Sequence, residues 1–275
     1  MGVRELIKGR KRMLEIIEGL PSISPLTIFA GVRGGGKKLL AQYLAELHNY
    51  TFTMVDRDID FIREAINNSY TVKEPVLYCI PDFEKLSINA MNALLKITEE
   101  PPNNSCFITT TEALSMIPAT ILSRAYIIVN EPYSKEELRL FTDDEQVLSY
   151  AKTPADVLDK NNLLMLYDFC KKVDENMTTV SLTNAFKIPS YIALKEEDKD
   201  EKIDLDRFLS AMSKIYYDKL IQYESNNEIE NARKYLKMLR ITNHILFELH
   251  TITGIKKDSL LDKWIIQIRN VCWED

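Results

Sequence analysis

The chain has 275 residues, 45% of them apolar, and a formal net charge of −6. That is enough for two or three domains with real cores, while no apolar run reaches the ~18–20 residues that a bilayer span needs. The first residues, with Arg4, Lys8, Arg10, Lys11 and Arg12 on a helical pattern, do not have the apolar centre of a signal peptide, so a cytoplasmic protein is expected.

Residues 1–130 carry 14 basic and 14 acidic side chains and residues 131–275 carry 21 and 27. The acidic excess therefore lies in the second half, which argues against charge-driven nucleic-acid binding by the chain alone, since that needs a basic face. Cys79, Cys106, Cys170 and Cys272 are far apart, and His48, His244 and His250 have no ligand spacing with them. Neither a disulfide framework nor a metal centre is expected.

In chain order, Val3, Leu6, Ile7, Leu14, Ile17 and Leu20 have near-helical spacing and predict one amphipathic helix over 3–20, bounded by Pro21 and Pro25. Leu26–Ala30 is a strand, a glycine cluster follows, and Leu39–Leu47 is a helix. Tyr50–Val55 and Pro75–Ile80 read as strands flanking a helix at Ile59–Ile66. Ser87–Glu100 is a helix stopped by Pro101 and Pro102, with Ala93, Leu94 and Ile97 on its core side. Cys106–Thr111 and Tyr126–Val129 complete an alternation that implies a parallel sheet covered by helices.

Beyond Pro132 the pattern turns helical. Ser134 and Glu137 have capping-box spacing, short helices run to Lys160, and long amphipathic segments cover Leu205–Tyr223, Ile229–Thr251 and Asp258–Val271. The acidic stretch Glu196–Lys202 reads as a solvated loop. The apolar face of the last helix, with Trp264, Ile265 and Ile268, is broad enough for an interface as well as a core.

Gly31-Val-Arg-Gly-Gly-Gly-Lys-Lys38 lies between a strand and a helix, the context of a phosphate-binding loop. Gly31, Gly34 and Gly36 would let backbone amides turn inward, and Lys37 would supply charge to the phosphates. Where a Ser or Thr hydroxyl should hold Mg²⁺ the chain has Lys38, whose ammonium cannot ligate a cation. The acidic end of the third strand is altered too, to Ile80-Pro81-Asp82-Phe83-Glu84-Lys85. Two altered magnesium positions predict little or no hydrolysis by this chain. An empty glycine turn and a loop that binds nucleotide without turnover both remain open at this point.

The order of these segments resembles the bacterial DNA polymerase III clamp-loader family, and within it the δ′ type. The resemblance rests on Gly31–Lys38, Ile59-Asp-Phe-Ile-Arg63, Ile80–Lys85, Asn92-Ala-Leu-Leu-Lys-Ile-Thr-Glu-Glu-Pro-Pro102 and Ile117-Pro-Ala-Thr-Ile-Leu-Ser-Arg124. It covers about residues 25–130. The chain lacks the cysteine-ligated zinc module that many members carry, and Ala125 stands where the Ser-Arg-Cys motif has its thiol.

The resemblance implies an α/β AAA+ core over 1–130, a helical lid over 131–160 and an all-α collar over 161–275. It implies γ/τ-like ATPase and δ-like subunits as partners, with the sliding clamp and primed DNA reached through the assembly. Arg124, supported by Ser123, would act in trans as an arginine finger, and no cofactor is expected. A catalytically active γ/τ-like motor and a DNA-binding AAA+ regulator are the alternatives.

Overall fold

The computed structural model describes residues 2–179, 188–193, 203–252 and 254–273. Two compact units divide the chain, Met1–Asp159 and Lys160–Asp275.

The first unit is built on five parallel strands: β1 (Leu26–Gly31), β2 (Thr51–Met54), β3 (Val76–Ile80), β4 (Ser105–Thr111) and β5 (Tyr126–Asn130). Their order across the sheet is β2-β3-β4-β1-β5. Parallel strands joined by crossovers must be covered on both faces, and the side chains alternate accordingly. On one face Leu26, Ile28, Tyr78, Ile80 and Phe107 pack with Ile62, Leu94, Ile97 and Ile121. On the other, Phe29, Leu77, Cys79, Cys106 and Ile108 pack with Leu14, Ile17, Leu40 and Leu44. Burial pushes the Cys79 thiol up to about 12, so it is an inert core group.

The helices of this unit are α1 (Val3–Leu6), α2 (Lys11–Glu18), α3 (Lys37–Leu47), α4 (Ile59–Ser69), α5 (Ile88–Ala93), α6 (Leu95–Glu99), α7 (Ala119–Leu122), α8 (Lys135–Leu138), α9 (Glu145–Tyr150) and α10 (Pro154–Leu158). Two differ from the sequence expectation. The single helix over 3–20 is broken, because Gly9 and Arg10 take left-handed backbone angles of 70° and 58° in φ. The predicted helix Ser87–Glu100 is two short ones, α5 and α6, which meet at Leu94. Ser87 caps the first by accepting from the amide of Ala90, and Leu94 and Ile97 are buried as expected. Ser134 and Glu137 form the predicted capping box.

Strand register sets what meets at the carboxyl edge of the sheet. Ala30 is level with Thr111, Gly31 with Asn130, and Ile80 with Thr109. The glycine loop after β1, the Asp82 turn after β3, Glu112 after β4 and Asn130 at the end of β5 are therefore neighbours. Ligands of open α/β sheets bind at this edge.

The second unit is helical: α11 (Lys160–Thr179), α12 (Leu205–Ser225), α13 (Ile229–Thr251) and α14 (Lys257–Trp273), with a two-residue parallel pair of Ile192–Ala193 and Ile203–Asp204. Glu196–Lys202 lies outside the described residues. Trp264 is fully buried, donating from Nε1 to Thr242 Oγ1 at 2.9 Å and meeting Phe208 edge-on at 5.2 Å. Asp174 is buried and paired with Lys219, and Tyr235 donates to its Oδ2 at 3.2 Å, so one polar cluster ties α11, α12 and α13.

Removing the cation from this cluster leaves a buried carboxylate short of its counter-ion. Lys219→Met is expected to cost about 2–3 kcal/mol, below the ~3–5 kcal/mol of a fully buried pair because Lys219 is partly solvated. Urea denaturation of the variant against wild type measures this, and an unchanged midpoint would show the pair to be dispensable.

Candidate functional site

The glycine loop is built by its left-handed residues. Gly34 and Gly36 have φ of 75° and 82°, angles at which a side chain would be strained. Gly36 then serves as the N-cap of α3. Space is also short: a Cβ on Gly34 would lie 2.6 Å from the Ala155 Cβ and 2.8 Å from Thr153 Oγ1, so the start of α10 rests directly on the loop. Thr153 is itself fixed by a capping box with Asp156. From the other side Asn130 Nδ2 donates to the Gly35 carbonyl at 2.8 Å.

Lys37 does not extend away from the loop. Its side chain is buried, and Nζ donates to the carbonyls of Gly31 at 2.6 Å and Val32 at 2.9 Å. Burial lowers its pKa, and the nearby charges of Glu112, Glu84 and Asp82 offset part of that. The Lys37 amine is thus held by the backbone of its own loop.

Lys38 is exposed, on the first turn of α3. Asp82 follows Pro81 with a left-handed φ of 51°, and its amide donates to Thr110 Oγ1 at 3.2 Å. Its carboxylate is 3.0 Å from Lys85 Nζ and 3.4 Å from Arg57 Nη1. Burial acts to raise its pKa, but the Lys85 hydrogen bond and the charges of Lys85, Arg57 and Lys38 hold it below the usual carboxylate range. An ammonium and a carboxylate already engaged by cations are a poor donor set for Mg²⁺, which wants several oxygen ligands in near-octahedral geometry. The residues present do not fit the metal.

Arg124 lies on the first unit away from these contacts in its bonding. Pro118 opens α7, while Ile117 and Ile121 bury into the core and anchor the turn. Arg124 is exposed, and Nη1 donates to the Thr120 carbonyl at 2.9 Å and to Ser123 Oγ at 3.4 Å. Ser123 Oγ donates to the same carbonyl at 3.1 Å. No carboxylate pairs with Arg124 among the described residues.

The structure thus brings Gly31, Gly34, Gly36 and Lys37 together in one loop, sets Lys38 beside it, and keeps Ser123 and Arg124 in a separate turn. Sequence reasoning missed Asn130 and Thr153. The only signals were an Asn closing a strand and a Thr-Pro-Ala-Asp run with capping-box spacing.

Residues 50–133 match the family model described as DNA polymerase III, delta subunit. The DNA polymerase III subunit tau of Bacillus subtilis is 32% identical over 128 residues, covering 35% of this chain and 23% of that protein. Subunit gamma of Buchnera aphidicola is 24% identical over 283 residues, covering 87% of this chain and 76% of the relative. Among solved structures, a DNA polymerase III gamma subunit-related protein of Thermotoga maritima shares the fold with a TM-score of 0.53 at 16% identity, over 95% of this chain and 99% of the other. The chain spans less than a quarter of the tau relative's length. The matched segment, the tau and gamma relatives and the shared α/β fold support a likeness between this chain and the clamp-loader AAA+ subunits of DNA polymerase III.

Proposed function

We propose that the chain is a δ′-like stator of a clamp loader. In this reading it takes no nucleotide in its own glycine loop, turns over no ATP, and offers Arg124 to the nucleotide of a neighbouring subunit. The observation that carries the proposal is a contrast within one unit: Lys37 is committed to the Gly31 and Val32 carbonyls, while Arg124 stands exposed without an acidic partner among the described residues. A guanidinium held by a helix-end carbonyl and a neighbouring hydroxyl is anchored at its base, yet exposed enough to reach a γ-phosphate across an interface. Ser123 is a positioning residue in that arrangement.

The partners follow from the same reading: γ/τ-like ATPase and δ-like subunits directly, the sliding clamp and primed DNA through the assembly. Residues 1–130 would be the AAA+ core, 131–160 the lid and 161–275 the collar. Exposed apolar side chains on the C-terminal helices support a collar that packs with neighbours, above all Phe247 at 63% and Trp273 at 60% exposure. The names of the tau and gamma relatives favour a second reading, an active motor subunit; Mg²⁺-dependent ATP turnover by the isolated chain would establish it and exclude the first.

In a complex reconstituted with candidate motor subunits, Arg124→Ala is expected to assemble normally and to lower the ATPase rate by about 10³-fold or more. Normal assembly with an unchanged rate would remove the arginine from the reaction. Lys37 gives a separate test in the isolated chain. Between its lowered folded value and the ~10.4 of a free lysine the unfolded chain binds the additional proton, so this group adds stability as pH rises through that window. Chemical denaturation at pH 8 and pH 10 should show that rise in wild type relative to Lys37→Met. Parallel curves for the two proteins would mean that Lys37 is not buried as described.

A further inference from the structure

The chain just after β5 is fastened to the chain just before α2 by a set of contacts that the reading above does not use. Arg10 is 4% exposed although it carries a full charge. Its guanidinium lies over the Tyr133 ring, 3.7 Å from the centroid, and Nη1 donates to the carbonyl of Glu131. Its backbone amide donates to Glu137 Oε1 at 2.6 Å, while Glu137 Oε2 accepts from the Ser134 amide at 3.0 Å. Gly9 makes room for this: a Cβ there would come within 3.2 Å of the Glu137 side chain. The Arg12–Glu131 ion pair at 3.1 Å and the Lys8 ammonium over the Phe141 ring at 5.7 Å continue the same seam. Tyr133 also reaches the glycine loop, since a Cβ on Gly36 would lie 3.9 Å from its hydroxyl.

We infer that Arg10 and Tyr133 form a latch that holds residues 131–141 against the N-terminal segment and the end of the glycine loop. The group at the centre of the seam is a costly choice for mere adhesion. Among the described residues Arg10 Nε and Nη2 are shielded from water and have no hydrogen-bond partner, so apolar side chains of similar volume would hold the seam at lower cost. A planar cation differs from them in fixing orientation: it is stacked on one face and tied by one edge to a carbonyl. The left-handed φ of Gly9 and Arg10, which interrupts the expected N-terminal helix, delivers the guanidinium to this position. The latch concerns the isolated chain and stands apart from the role assigned to Arg124.

Hydrogen–deuterium exchange of the full chain tests it. Tyr133 is half-buried, so its substitution does not threaten the core. Tyr133→Leu is expected to speed exchange across residues 131–141 by about tenfold, the loss of one desolvated cation–π contact. Tyr133→Phe, which keeps the ring, should exchange like wild type, and helix α12 should be unaffected in both. Arg10→Met, which also loses the Glu131 bond, should loosen the segment at least as much, and adding Tyr133→Leu to it should loosen it no further. If Phe loosens the segment as much as Leu, if Leu changes nothing, or if the two substitutions multiply, the latch is wrong. Should Arg10→Met fail to fold, the Phe and Leu variants decide the matter alone.

Discussion

An ammonium group removed from water must find acceptors, and Lys37 finds them in its own loop. The two carbonyls it reaches, Gly31 at 2.6 Å and Val32 at 2.9 Å, belong to the turn that a nucleotide-binding relative would present to phosphate. The left-handed Gly34 and Gly36, at φ of 75° and 82°, shape the turn in which those carbonyls lie. The acids around the site complete the balance: Glu112, Glu84 and Asp82 supply negative potential to Lys37, and Asp82 is shared with Lys85 and Arg57. The charges of Lys37, Asp82, Lys85 and Arg57 thus find partners within the protein.

Elements far apart in sequence close the same edge. β1 lies between β4 and β5, so the glycine loop has neighbours on both sides. Asn130 bonds the Gly35 carbonyl from β5, and Thr153 and Ala155 press on Gly34 from α10. The first unit therefore joins its glycine loop to the segment that follows the sheet by direct side-chain contact. Arg124 belongs to none of these contacts, since α7 anchors it through Ile117 and Ile121 and leaves the guanidinium at the surface.

Much of this was legible from the residues. The strands were readable because parallel strands covered on both faces are near-continuous apolar runs, and the long C-terminal helices because their apolar spacing is sustained for about four turns or more. The altered chemistry at Lys38 and Pro81 could be seen without coordinates, since the residue types alone are wrong for a magnesium site. Periodicity misled where a break costs the pattern little: Leu6 and Leu14 keep helical spacing across Gly9 and Arg10, yet the backbone there is left-handed. The destination of the Lys37 side chain, the Asn130 bond and the Thr153 contact were not readable, because each depends on which distant residue arrives at the strand ends. Arg10, one of five basic residues in the first twelve, gave no sign that it would be buried.

In the proposed reading Lys37 closes the glycine loop of its own chain, and direct nucleotide binding tests this most simply. Isothermal titration of the isolated protein with ATP and with ADP, each with Mg²⁺, should give no saturable heat at millimolar nucleotide. Saturable binding that is lost in Lys37→Met would mean that the amine leaves the Gly31 and Val32 carbonyls for phosphate, and would contradict the account.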